Sequence, residues 1–191
     1  MIDTKIGSAL AATVLAVTGF GCASANVKSN KSAEYSKKLE RTMIVFPMDA
    51  EMSVYRQMLH EKLVGELQKR GVTSTFATLT GALDLKDATP IEQQAKDFKA
   101  STALFIKLTS GVVDQTGSIK NAHFDAQIFD LESKKRVWRA SINYTAGGGF
   151  DTRSMKMDKL VGELVKALVN DGLVNRTEAD ARESAASPAP L

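Results

Sequence analysis

The chain is expected to fold as an α/β (α+β) domain, a mixed sheet of about five strands in the order β-α-β-α-β-β-β-α with helices packed on it. Three observations point there. Residues 53–70 and 154–170 repeat apolar side chains at helical spacing, and each such stripe needs a sheet face to bury it. Residues 124–128 and 137–144 alternate with the period of a strand. Two short continuous apolar runs, at 42–48 and 103–108, suit strands buried on both sides.

Taken in order, TMIVFPM (42–48) is the first strand, closed by Pro47, which has no N–H for a ladder. The helix over 53–70 should turn Val54, Met58, Leu63, Val64 and Leu67 inward, and Gly71 should stop it. Residues 72–77 alternate weakly, as an edge strand does. Thr89-Pro90-Ile91-Glu92 combines an N-cap, a proline in the first turn and a reciprocal Glu, so a short helix should follow with Ile91, Ala95 and Phe98 buried. Residues 103–108, extending towards Val113, form a central strand, and 114–118 a turn. A meander comes next. Phe124, Ala126 and Ile128 face in while His123, Asp125 and Gln127 face out; after a turn at 130–135, Trp138, Ala140, Ile142 and Tyr144 face in. The last helix buries Met157, Leu160, Val161, Leu164 and Leu168 and ends at Gly172. The early strands, joined through helices, can lie parallel, and the last three should be antiparallel.

Composition narrows the function. Of 191 residues, 43% are hydrophobic and 25% charged, as in a globular protein, and the net charge is only +3. That is too little for a nucleic-acid footprint. One Cys and two His exclude a disulfide framework and a Cys/His zinc site. No metal site, cofactor or catalytic residue is expected. His60 and His123 belong to polar faces, and neither G-x-S-x-G nor H-E-x-x-H occurs. Lys134-Lys135-Arg136 precedes Trp138, whose alternation assigns it to the core. Gly147, Gly148 and Gly149 lie between a strand and a helix and, with Arg153, make a candidate anion site. They lack the spacing of a phosphate loop, and glycines also serve plain turns.

The start of the chain is an address. Lys5 precedes an apolar run over 6–20, and small residues follow it, which is the layout of a secretory signal. The run is shorter than the roughly 20 residues of a membrane-spanning helix. Gly21 directly before Cys22 resembles the lipobox of bacterial lipoproteins. That resemblance implies an acylated Cys22 as mature N-terminus, a membrane partner reached through the lipid, and, with Ala23 rather than Asp next, the outer membrane facing the periplasm. The rival is cleavage after Ala25, which would discard Cys22 and release a soluble periplasmic protein. The chain thus divides into a signal (1–21), an acylated Cys and flexible polar tether (22–41), one α/β domain (42–175) and a disordered tail (176–191).

TMIVFPM, the helix after it, KASTALFIKLTSG, FDAQIFDLESKKRVWRASI and the closing helix together resemble a group of small bacterial envelope domains. These are the TolB N-terminal domain, the curli-secretion lipoprotein and the lipoprotein activators of penicillin-binding proteins. The expected function is a non-enzymatic, lipid-anchored domain of the cell envelope that binds a protein partner or forms a homo-oligomer. The alternative is a periplasmic module that binds a small ligand or the cell wall.

Overall fold

The computed structural model describes residues 24–47, 53–77, 89–115, 118–147 and 152–186. One mixed sheet contains β1 (Ser24–Lys31), β2 (Arg41–Val45), β3 (Thr73–Phe76), β4 (Thr102–Val113), β5 (Ile119–Asp130) and β6 (Lys135–Thr145), in the spatial order β1-β6-β5-β4-β2-β3. The helices are α1 (Ser53–Gln68), α2 (Thr89–Phe98), α3 (Arg153–Asn170) and α4 (Glu178–Ala186). Strand β2 runs parallel to both β3 and β4, and the other pairings are antiparallel. The mixed sheet, the meander and the edge position of β3 agree with the sequence.

Topology decides which face each helix covers. The chain leaves β2 through α1 to reach β3, then returns through α2 to β4 on the other side of β2. Two right-handed crossovers in opposite directions put their helices on opposite faces. Accordingly Tyr55, Leu59, Leu63 and Leu67 of α1 join the main core with Ile44, Phe124, Ile128, Trp138, Ile142 and the inner stripe of α3. A separate, smaller cluster holds Met43, Val45 and Ala95, with Ile91 and Phe105 packed against it. Buried Thr42 and Thr102, paired across β2 and β4, join their hydroxyls at 2.9 Å.

Three features depart from the sequence expectation. First, residues assigned to a flexible tether form β1 on the edge beside β6, so that the expected sheet of about five strands counts six among the described residues. The alternation of β1 is faint (Ala25 and Val27 pack on the core) and its Asn and Lys residues gave it the composition of a linker. Lysine is also what an edge strand uses to repel further pairing. Second, the tail contains α4. Asp180 accepts from the Thr177 amide at 2.7 Å while the Thr177 hydroxyl accepts from the Asp180 amide at 3.3 Å, a reciprocal cap. Arg70, buried at the end of α1, ties this turn down through Asp180 at 2.7 Å. Third, Val54 is exposed; α1 buries Tyr55 and Leu59 instead. The helix ends on Gly71, whose φ of 81° only glycine adopts freely, and Gly172 does the same after α3 at 71°. Helix α2 begins where expected, although the side chains of Thr89 and Pro90 lie outside the described residues, as do residues 116 and 117 of the following turn. Among the described residues no helix is long and apolar enough to cross a membrane.

Candidate functional site: an open sheet face and its groove

Helix α2 is short and shields only the β2–β4 region. On the other half of that face, spanning β1, β6, β5 and β4, no helix packs among the described residues. Cross-strand register fixes what it displays. Lys28 lies opposite Ser141, Ser141 opposite Asp125, and Asp125 opposite Lys107. A neighbouring row runs from Asn26 through Asn143 to His123, and another from Asn30 through Arg139 and Gln127 to Phe105. An antiparallel sheet can leave one such polar face in water.

Where the open face meets α2 there is a groove with a volume of about 1440 Å³. Phe105 and Phe129 form its apolar floor, packed edge-to-face with centroids 5.6 Å apart and planes at 85°. Met43, Ile91, Ala95 and Leu131 continue the apolar surface, and the rim carries charges of both signs. At one end Asp130 is buried and accepts from the Ser133 amide at 2.7 Å and the Ser133 hydroxyl at 2.9 Å. The Ser133 amide, above all, holds its carboxyl below the usual range against the opposing effect of burial, with help from the Ser133 hydroxyl and Lys37. Lys37 bonds Glu132 at 2.8 Å, which raises its own pKa, and stands 3.6 Å from Asp130. Burial pushes the nearby Tyr35 phenol upward.

His123 falls among potential partners on the open face. Its Nδ1 is 2.6 Å from Asn143 Oδ1, while Nε2 is 3.4 Å from Ser141 Oγ and 3.6 Å from Asp125. A His beside a Ser is the feature that would favour an enzymatic reading, but the arrangement is poor for nucleophilic catalysis. The Ser contact is longer than the roughly 2.6–3.2 Å of an activated hydroxyl, and Asp125 approaches the same nitrogen. His60 is exposed on α1, its ring 4.6 Å from that of Phe76.

Of the sequence-proposed anion site, Gly147 and Arg153 lie among the described residues. Gly147 follows β6, and Gly148 and Gly149 lie outside the described residues. Thr152 caps α3, which starts at Arg153, one residue before the spacing indicated; its hydroxyl accepts from the Met155 amide at 3.2 Å. Arg153 lies over the Tyr55 ring at 5.9 Å. Cys22 lies outside the described residues. The groove escaped sequence analysis, because its floor combines a β4 residue with a β5 residue across a register that only the folded sheet sets. Among the described residues no group of three or more His, Cys, Asp or Glu could hold a metal ion.

No family model matches the chain, and no curated protein does. Solved structures are similar to it. The PelC dodecamer from Paraburkholderia phytofirmans is 11% identical with a TM-score of 0.51, over 74% of this chain and 95% of that one. A point variant of the same dodecamer is 12% identical at the same TM-score of 0.51, over 74% and 96%. Lipoprotein GNA1162 from Neisseria meningitidis is 19% identical with a TM-score of 0.43, over 69% and 96%.

Proposed function

We propose that this chain is a non-enzymatic domain of the bacterial cell envelope, held by acyl chains on Cys22 at the outer membrane and facing the periplasm, where it assembles with copies of itself or binds an envelope protein. The groove beside α2 carries this reading. An apolar centre of Phe105 and Phe129 inside a rim of mixed charge is the anatomy of a protein-binding surface. The fold shared with the PelC dodecamer favours self-assembly among the partners. More than one acyl chain holds a protein stably, whereas one holds it marginally.

Two measurements test this. Palmitate labelling in cells should mark the wild type and spare Cys22→Ala; equal labelling of both overturns the anchor. Light scattering behind size exclusion, together with crosslinking in intact cells, should reveal an assembly or a captured protein. Ile91→Glu, on the groove wall, should remove it while the circular dichroism stays unchanged. Persistence of the same complex in that variant overturns the groove as the contact.

A second reading has one observation in its favour. The concavity expected of a module for a small ligand or the cell wall is present in the same groove. A thermal shift with peptidoglycan fragments, absent in Ile91→Glu, would favour it over protein binding.

A further inference from the structure

Among the described residues four large apolar side chains are exposed: Val54 at 45%, Val112 at 56%, Val113 at 51% and Met155 at 54%. Strand register and side-chain hydrogen bonds place all four at one end of the sheet. Ser24, the first residue of β1, lies opposite Thr145, which lies opposite Asn121, which lies opposite Val112. Val113 pairs with Ile119 beyond them. The Ile119 amide donates to the Tyr55 hydroxyl at 3.1 Å, so the first turn of α1, with Val54, belongs to this end. Lys156 reaches Ser118 Oγ at 2.7 Å and the Ile119 carbonyl at 3.0 Å, which brings in the first turn of α3, with Met155.

This is also the end at which β1 begins, two residues after Cys22. Two residues span at most roughly 7 Å when fully extended. We infer that the pole bearing Val54, Val112, Val113 and Met155 is a membrane-docking face, which rests on the interfacial layer of the phospholipid bilayer that holds the acyl chains of Cys22. The inference depends on the acylation proposed above. With that acylation, so short a connection leaves Ser24 beside the headgroups. The apolar side chains around it then lose water by entering the interface. They project from three separate elements, the end of β4 and the starts of α1 and α3. A planar apolar layer accepts such a scattered set without shape complementarity. The groove beside α2, near the opposite end of β5, stays clear for a periplasmic partner.

The full chain, processed and acylated in a bacterial host, supplies the test. Acylated Cys22 has no free thiol, and the chain has no other Cys. A fluorophore can therefore be placed through Val113→Cys, Met155→Cys or, at the far end of the sheet, Lys135→Cys. The proteins are reconstituted in phosphatidylethanolamine–phosphatidylglycerol vesicles carrying doxyl-labelled acyl chains. Quenching should be several-fold stronger at 113 and 155 than at 135. Adding Val112→Asp and Val113→Asp should bring the signal at 155 down to that at 135. Equal quenching at all three positions, in protein that floats with the vesicles, overturns the docking face and leaves the anchor standing. Protein that fails to float, with Cys22 unmodified by mass spectrometry, overturns both. Label-to-label quenching at 113 without quenching from lipid assigns the face to a second copy and overturns the inference.

Discussion

Trp138 shows how one polar atom can discipline a core. The side chain is 1% exposed, yet its indole N–H donates to Asp171 Oδ2 at 2.6 Å. Asp171 also caps α3, its own amide bonding the Ala167 carbonyl at 3.0 Å. The bond therefore ties β6 to the end of the helix packed over it. Asp171→Ala leaves a buried donor without an acceptor, at a cost of about 1–3 kcal/mol. For a domain of this size that is a fall in Tm of about 3–10 °C. In a Trp138→Phe background the same substitution should cost markedly less, since there is no donor to strand; thermal melts of the four proteins measure the coupling. Alternation showed that Trp138 faces the core, but its partner, 33 residues away, was not legible. The reciprocal cap of Thr177 and Asp180, by contrast, is legible in the chain as a Thr-x-x-Asp spacing.

At the scale of the element, legibility followed the strength of periodic burial. Helix α3 and strands β5 and β6 bury one face and wet the other, so their inward residues were correctly assigned from spacing alone. Helix α1 offers two adjacent apolar ridges, one through Val54 and Met58 and one through Tyr55 and Leu59. Only the sheet beneath decides between them, and it takes the second. Strand β1 was missed because polarity is what an edge requires. Its contribution can be measured by comparing the chain from Ser24 with the chain from Ser32. Removal strips an antiparallel ladder of eight pairs from β6, together with Ala25 and Val27 over the core. At a few tenths of a kcal/mol per pair, the loss is about 3 kcal/mol, or a Tm lower by about 10 °C. The bared edge of β6 should also make the shorter chain aggregate at concentrations the longer one tolerates. Equal melting temperatures and equal solubility would make β1 an ornament of the sheet. The groove depends on one further element, α2, which is too short to cover the face it packs on, and no local pattern could reveal which face that is.

Across the whole molecule the two ends are held by different physics. The end where β1 begins displays exposed apolar side chains, whereas the opposite end is fastened by carboxylates. There Asp130 takes Ser133 and Lys37, while Glu66 and Asp180 take Arg70, at 2.7 Å each, where α1 finishes. All three carboxyls lie below their ordinary values. For Glu66 and Asp180 burial pushes upward. Bonds from Lys69 and Arg70 more than offset it for Glu66, as do bonds from Thr177 and Arg70 for Asp180. A carboxyl depressed in the folded state stabilises the fold fully above its unfolded pKa of about 3.9–4.3. It loses that contribution as pH falls through the lower folded value. The melting temperature should therefore be flat from about pH 7 to 5 and fall below about pH 4. The loss should begin at one end. Hydrogen exchange in mild acid should release α4 and the 37–40 segment before the amides of β4, β5 and β6. Asp180→Asn should be less stable at neutral pH and show a shallower acid decline, because one of the three depressed carboxyls is already gone. Uniform release of all elements together, or an unchanged acid decline in Asp180→Asn, would mean that these carboxylates sit at that end without securing it.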